Sequence, residues 1–214
     1  PRWFTKDYFS RLNNAISILD YSLKNIDFLQ HNQIKYQKTF YAPISYFQDY
    51  PNYLTNKGLK LPTKPEKLYD VIFYGDINNS RRSRFLKVIK KHFSVKIICN
   101  SFGEDLYSQL LSAKAVINIH YYENALLETT RVYESLSLGI PVISETSSDI
   151  SDYPDISNLV TFTPVDNIDA MIHAIDNVIN SEETDNQNST KTCKQTTKFS
   201  NFSFFFNRFL LAFD

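Results

Sequence analysis

From residue 70 onward, short apolar runs alternate with longer amphipathic segments. Five apolar runs end at glycine or polar residues and predict buried strands at 70–75, 95–99, 115–119, 141–144 and 159–162. Four amphipathic segments carry apolar residues at helical spacing and predict helices at 80–92, 104–113, 126–138 and 166–180. Asp166 opens the last of these helices. Strands and helices that alternate over short connections predict an α/β fold, a Rossmann-like doubly wound parallel sheet.

The residues before this alternation follow other patterns. Leu12, Ile16, Leu19 and Leu23 recur at spacings of three and four, which predicts a helix over about 5–30. A short strand is expected at 39–43, and the proline- and lysine-containing stretch 44–69 is typical of a linker or an irregular connection. Beyond the alternation, residues 181–200 are polar and predict a loop, whereas 202–213 are apolar and predict a helix.

Composition excludes several classes of protein. The chain has 214 residues, of which 43% are hydrophobic, so it is neither a disordered chain nor a disulfide scaffold. Its 23 basic and 23 acidic residues leave no net charge, and a nucleic-acid partner is therefore not expected. Cys99 and Cys193 match no metal-ligand spacing and no short disulfide framework, so a reducing compartment is expected. The chain has no Asp-x-Asp pair, which disfavours a bound metal, and no other cofactor is expected. The chain has no spanning run of apolar residues and no signal-peptide pattern, and a cytoplasmic location is expected.

The charges are segregated along the chain. Residues 56–96 hold eleven Lys or Arg and three Asp or Glu, whereas 97–190 hold two and fifteen. Such a division favours a bound anion beside the basic part and ligand hydroxyls beside the acidic part. Two solvated faces of opposite sign would produce the same pattern.

Two loops at the carboxyl ends of strands carry the candidate chemistry, because parallel sheets bind ligands there. After the first strand, Gly75 allows a tight turn, and Arg81 and Arg82 open the next helix as candidate phosphate ligands. The alternative is a plain strand–turn–helix capped by Ser80. The loop has neither a three-glycine dinucleotide motif nor a P-loop ending, which excludes the usual forms of both sites.

The densest polar cluster follows the third strand. Asn118 and His120 lie at its end, and Glu128, Arg131 and Glu134 follow at spacings of three, as on one helix face. Glu134 suits a ribose, because an ionised carboxylate accepts hydrogen bonds from two hydroxyls. A surface ladder of Glu128, Arg131 and Glu134 is the alternative.

The stretch 118–145, with its Glu128–Arg131–Glu134 spacing and the Leu-Gly-Ile-Pro-Val-Ile-Ser-Glu ending at Glu145, resembles the donor-binding half of GT-B glycosyltransferases. It is similar especially to the group-1-like enzymes of bacterial surface-polysaccharide clusters. The resemblance extends over 15–180, and 19–26 with 41–43 resembles the passage between the two domains of such enzymes. The usual Glu-x7-Glu pair would place an acid at position 126, where this chain has Leu126.

The resemblance implies transfer of a sugar from a nucleotide-sugar to an acceptor hydroxyl, without a bound metal. It implies that 1–69 is the end of an N-terminal domain and linker, 70–180 the nucleotide-sugar-binding domain, and 181–214 a polar loop and C-terminal apolar helix. The partners implied are a glycan or lipid-linked acceptor and a missing N-terminal Rossmann-like domain. The apolar segment 202–213 fits a helix that packs on that missing domain, and equally a peripheral anchor at the inner face of the membrane, because its phenylalanines leave little polar face. The abrupt ends at Pro1 and Asp214 predict a fragment.

The donor-binding residues that the resemblance implies come from both loops. Glu134 corresponds to the ribose ligand, and the pyrophosphate and sugar contacts fall to Gly75, Arg81, Arg82, Asn118, His120, Glu128, Arg131 and Glu145. No catalytic base is assigned. The alternative function is a non-catalytic Rossmann- or flavodoxin-like module that binds a nucleotide or serves as a scaffold.

Overall fold

The structure is a computed structural model that describes residues 5–32 and 39–185, and it divides between Ser45 and Tyr46 into two compact units. In the first unit, β1 (Ile18–Asp20) pairs in parallel with β2 (Thr39–Tyr41). Helices α1 (Lys6–Asn14) and α2 (Leu23–His31) precede and follow β1. The strand expected at 39–43 is therefore confirmed for its first three residues.

The single helix predicted over 5–30 is wrong, because β1 interrupts it. The Asp20 carboxylate accepts a hydrogen bond from the backbone N–H of Ser22 at 2.8 Å, which turns the chain out of the strand. Ser22 then caps α2 by accepting from the N–H of Asn25. The periodic apolar residues therefore belong to two short helices and a strand.

The second unit contains a five-stranded parallel sheet in the order β4-β3-β5-β6-β7, which confirms the predicted fold class. Its strands are β3 (Tyr69–Tyr74), β4 (Val95–Ile98), β5 (Ala113–Asn118), β6 (Val142–Glu145) and β7 (Val160–Thr163). Its helices are α3 (Tyr50–Asn56), α4 (Ser80–Ile89), α5 (Gly103–Leu111), α6 (Thr129–Ser137) and α7 (Ile168–Asp185).

Successive side chains of β3 point to opposite faces of the sheet, and each face has a hydrophobic core. Val71 and Phe73 are fully buried in a cluster with residues of α4 and α7, such as Phe85 and Met171. Ile72 is fully buried in the other cluster, which includes residues of α5. Apolar burial on both faces explains the continuous hydrophobic runs of the sequence.

Several predicted boundaries need correction. The stretch 44–69 contains α3, which a proline at its first turn helps to start. Glu128 precedes α6 instead of lying on it. Asp166 has φ +61°, and α7 begins two residues later, where the Asn167 side chain accepts from Ala170 N–H at 2.9 Å. Residues 181–185 continue α7, whereas the rest of the predicted loop and apolar helix lies outside the described residues.

Over residues 5–32 and 39–185, no helix has both the length and the apolar character needed to cross a membrane.

Candidate functional site

A charged network occupies the edge of the sheet where the strands end at their carboxyl termini. It joins the segments after β3, β5, β6 and β7, which parallel topology brings to the same edge. Eight of the nine candidate residues contact one another in this network or lie directly against it: Gly75, Arg81, Arg82, Asn118, His120, Glu128, Arg131 and Glu145. The ninth, Glu134, joins through Tyr74.

Glu145, the last residue of β6, is fully buried and binds several protein donors. Both its oxygens accept from the guanidinium of Arg81, one of them at 2.7 Å. The backbone N–H groups of His120 and Asp166 donate to the same carboxylate at 2.8 and 2.7 Å. These four bonds compensate the cost of burying the charge and tie the start of α4 and two loops to β6.

Arg81 is half-buried and is held on several sides. Besides Glu145, its guanidinium donates to the carbonyl of His120 at 2.9 Å and lies 3.4 Å from Asp166. The hydrogen bonds and the charge of Glu145 outweigh the opposing effect of burial and raise the pKa of Arg81. This side chain therefore has few donors left for a ligand.

Arg82 is buried, with a side chain only 4% exposed. It donates to the carbonyls of Ile119 and Asp76, each at 2.9 Å, and to Glu128 at 3.2 Å. Burial and the nearby charge of Arg131 lower the pKa of Arg82. The N-cap of α4 is Asn79, not Ser80 as in the strand–turn–helix alternative. Arg82 lies in the first turn of α4, but its side chain points toward the edge of the sheet.

His120 is fully buried between two hydrogen-bond acceptors. Its Nδ1 lies 2.7 Å from a Glu128 oxygen and its Nε2 lies 3.1 Å from the carbonyl of Thr146. Burial opposes protonation, but the hydrogen bond and charge of Glu128 outweigh it and raise the pKa of His120. Both ring nitrogens face hydrogen-bond acceptors, an arrangement that favours the protonated ring.

Glu128 is the anionic centre of the same cluster, with 22% of its side chain exposed. Burial would raise its pKa, but hydrogen bonds from His120 and Asn118 and the charge of Arg131 lower the pKa of Glu128 to about 2. Asn118 donates to it at 2.9 Å and accepts a hydrogen bond from Arg131. The carboxylate thus holds the loop after β5 against the start of α6.

Arg131 lies directly across the Gly75 turn. Gly75 has φ +138°, and a Cβ at this position would lie 2.7 Å from Nη2 of Arg131. The Arg131 guanidinium packs over the rings of Phe73 and Tyr74, at 5.7 and 5.2 Å from their centroids. Its Nη1 donates to Asn118, whereas its Nε, like that of Arg81, is buried with no hydrogen-bond partner within the described part of the chain. Among the described residues, Arg131 donates one side-chain hydrogen bond, whereas Arg81 and Arg82 donate three each.

Glu134 lies one turn further along α6 and is half-buried. The Tyr74 hydroxyl donates to its carboxylate at 3.0 Å, and Tyr107 interacts with the same carboxylate. Burial outweighs these hydrogen bonds and the charge of Arg131, so the pKa of Glu134 is raised. The predicted ladder is not continuous: Arg131 lies 4.0 Å from Glu128, and no ion pair links Arg131 to Glu134 within the described residues.

Sequence reasoning missed two residues of this edge. Asp166 pairs with both Arg81 and Arg84, and Tyr74 contacts both Arg131 and Glu134. The position of Asp166 shortly after a predicted strand is a signal for it, whereas Tyr74 ends an apolar run and carries no local signal of its contacts. Among residues 5–32 and 39–185, no three His, Cys, Asp or Glu side chains are grouped so that they could hold a metal ion.

No family model matches the chain, and no curated protein sequence matches it. Among solved structures, it is similar to a sucrose-phosphate synthase from Thermosynechococcus elongatus, with a TM-score of 0.50 and 13% sequence identity. The match covers 82% of this chain and 52% of the synthase, so the chain spans about half the length of that protein. At this identity the likeness shows a shared fold.

Proposed function

We propose that this chain is the donor-binding part of a GT-B glycosyltransferase, which holds the nucleoside diphosphate of a nucleotide-sugar at the carboxyl edge of the five-stranded sheet. Support at the level of the fold comes from the sucrose-phosphate synthase, a GT-B glycosyltransferase. Support at the level of the residues comes from the arrangement of Gly75, Arg131 and Glu134.

The observation that carries the proposal is that the guanidinium of Arg131 donates only one hydrogen bond to the described part of the chain, whereas that of Arg81 donates three. A buried N–H without an acceptor is unfavourable, and a phosphate oxygen is the acceptor that an arginine binds most strongly. Gly75 has no side chain, so the backbone beside Arg131 can approach a ligand closely. We therefore assign the diphosphate contact to Arg131 and the Gly75 turn.

The other residues divide into ligand contacts and supports. Glu134 is assigned to the ribose hydroxyls, because its carboxylate is half-buried and the Tyr74 and Tyr107 hydroxyls occupy only part of its hydrogen-bonding capacity. Arg81, Arg82 and Glu145 support the site, because protein acceptors and donors already occupy them. Asn118, His120 and Glu128 orient Arg131 and the loop after β5.

In the proposed reaction, the bond between the sugar C1 and the diphosphate oxygen breaks, and a bond from the acceptor oxygen to C1 forms. The diphosphate leaves with the bonding electron pair, and Arg131 stabilises the charge that develops on it. The acceptor hydroxyl gives its proton to a base, which the resemblance assigns to the other half of a GT-B enzyme. His120 is not that base, since both its nitrogens face acceptors.

The proposal includes the setting that the resemblance implies. The donor is a nucleotide-sugar, and the acceptor is a glycan or lipid-linked glycan of surface-polysaccharide synthesis at the cytoplasmic face of the membrane. No metal takes part in it, because cationic side chains would carry the diphosphate charge. The alternative, a non-catalytic nucleotide-binding or scaffold module, differs from the proposed enzyme in one respect. It would bind its ligand without transferring a sugar from a donor.

Calorimetric titration with UDP, GDP and ADP tests donor binding directly. At least one diphosphate should bind, and Arg131→Gln should weaken it at least tenfold, since charge-assisted bonds to phosphate contribute about 1.5–3 kcal/mol. The control is Lys87→Gln, which removes one exposed positive charge from α4 and should leave affinity within twofold. Absence of binding by all three, or equal affinity of the Arg131 variant, would contradict the proposal.

A further inference from the structure

The Tyr74 side chain contacts both residues that the proposed function assigns to the ligand. Its ring lies beneath the Arg131 guanidinium, 5.2 Å from centroid to Cζ, and its hydroxyl donates to Glu134 at 3.0 Å. The same hydroxyl lies 3.1 Å from the Arg131 carbonyl and 3.3 Å from the Ser135 hydroxyl. One side chain therefore supports a cation and an anion on the same helix.

The position of Tyr74 makes it a rigid support. It is the last residue of β3 and directly precedes the Gly75 turn. Its ring packs against the second hydrophobic cluster, which includes the buried residues Ile72 and Leu110. Burial and the charge of Glu134 raise the pKa of Tyr74, so its hydroxyl keeps its proton and remains a donor at neutral pH.

We infer that Tyr74 is a positioning residue that couples the ribose and diphosphate parts of the site: its hydroxyl orients the Glu134 carboxylate for ribose hydroxyls, and its ring holds Arg131 at the diphosphate. This inference rests on the proposed function and adds a specificity determinant for ribonucleotides. A carboxylate that one oxygen anchors to a rigid strand directs its remaining lone pairs in a defined direction.

The two contacts can be separated by substitution. Tyr74→Phe removes the hydroxyl and keeps the ring, whereas Tyr74→Leu removes both. The matched control is Tyr69→Phe, at the other end of β3, because Tyr69 packs on the same hydrophobic cluster but not on Arg131 or Glu134. If the Tyr74 hydroxyl had only a structural role, Tyr74→Phe would lower the stability of the protein without changing which ligands it recognises.

The ligand experiment compares UDP, GDP and ADP with their 2′-deoxy forms and with the matching nucleosides. The parent should prefer the ribose form about tenfold, as expected for one lost hydrogen bond to a charged group. In Tyr74→Phe this preference should fall at least threefold while the preference for diphosphate over nucleoside persists. In Tyr74→Leu both preferences should fall, and in Tyr69→Phe neither should change.

The results distinguish a failure of the proposed function from a failure of the inference about Tyr74. A parent that binds none of the diphosphates overturns the proposed function, and the inference with it. A parent that binds, together with an unchanged ribose preference in Tyr74→Phe, overturns the inference alone.

A ligand-free readout is the carboxyl titration of Glu134 by carbon-detected NMR, assigned with Glu134→Gln. The charged and titratable groups that act on this carboxylate are Tyr74, Tyr107 and Arg131. Because the Tyr74 hydroxyl stabilises the ionised form, Tyr74→Phe should raise the pKa of Glu134, whereas Tyr69→Phe should not. An unchanged titration in Tyr74→Phe also overturns the inference.

Discussion

At the scale of single residues, Gly75 combines a backbone requirement with a packing requirement. Its φ of +138° is unfavourable for any side chain, and the space that a Cβ would fill already holds Nη2 of Arg131. Gly58 offers a comparison within the same chain, since its φ is +93° and no other described residue comes within 4 Å of the place that a Cβ would occupy there.

Replacing both glycines by alanine, one at a time, separates the two requirements. Gly58→Ala should lower the free energy of unfolding by about 1 kcal/mol through backbone strain alone. Gly75→Ala should lower it by at least ~1 kcal/mol more and weaken diphosphate binding, because Arg131 must move. Chemical denaturation and calorimetry provide the two measurements. Equal losses of stability would mean that Arg131 does not restrict the turn.

A second residue-scale prediction concerns Glu145, whose four hydrogen bonds include the pair with Arg81. Glu145→Gln removes the buried charge that pairs with Arg81 and leaves Asp166 as the remaining anion beside the guanidinium, and breaking a buried ion pair typically costs about 3–5 kcal/mol. The exposed Glu123→Gln should change stability by ~0.5 kcal/mol or less. A small loss in Glu145→Gln, measured by urea denaturation, would contradict the structural role assigned to this carboxylate.

At the scale of elements, the His120–Glu128 pair joins the loop after β5 to the start of α6. The pKa of His120 is raised, so its contribution is complete below about pH 6.5 and is lost as the pH rises through the folded value. The pKa of Glu128 is lowered from 4.5 to about 2, so its contribution is complete above about pH 4.5 and is lost as the pH falls toward 2.

The pair should therefore stabilise the protein most between about pH 4.5 and 6.5. Above this range, the free energy of unfolding of the parent should decline with pH, and the decline should be shallower in His120→Gln. The exposed His173→Gln should keep the slope of the parent. Urea denaturation at intervals from pH 4 to 9 measures this, and identical slopes in parent and His120→Gln would refute the pairing.

Local sequence patterns predict the strands of the second unit but do not predict every boundary of the elements. The apolar runs located every strand of the second unit, because burial on both faces leaves a continuous signal. The helical spacing does not reveal the break at Ile18–Asp20, since a three-residue strand interrupts this spacing without removing it. Spacing alone also does not determine where a helix begins, so it does not show that Glu128 precedes α6.

The candidate site shows the same limit for side chains. The sequence placed Arg81 and Arg82 at the correct sheet edge, but their partners Glu145 and Ile119 come from other strands and depend on tertiary contacts. Arg131 donates only one side-chain hydrogen bond among the described residues, and spacing along the chain does not reveal this difference from Arg81 and Arg82.

At the scale of the whole molecule, the separation of charge along the chain affects how a polyanion would bind. The net charge is zero, so the molecule as a whole does not attract a diphosphate, and local cations must do so. Arg131 is 14% exposed, which leaves it partly open to screening by salt.

Raising the salt concentration from 0.05 to 0.5 M should therefore reduce the affinity for a nucleoside diphosphate more than the affinity for the nucleoside, because the screening length falls from about 14 to 4 Å. In Arg131→Gln this difference should become small. Calorimetric titration of the parent and of Arg131→Gln with both ligands measures these affinities. An equal salt dependence for diphosphate and nucleoside in the parent would contradict an electrostatic contact.

The buried carboxylate of Glu145 has a further consequence for the loops that follow β5 and β7. The amide protons of His120 and Asp166 belong to no strand, yet both are donated to this carboxylate. They can exchange with deuterium only when the charged network opens, so they should exchange as slowly as amides in the middle of the sheet. On the exchange timescale, these two loops belong to the same cooperative unit as β6.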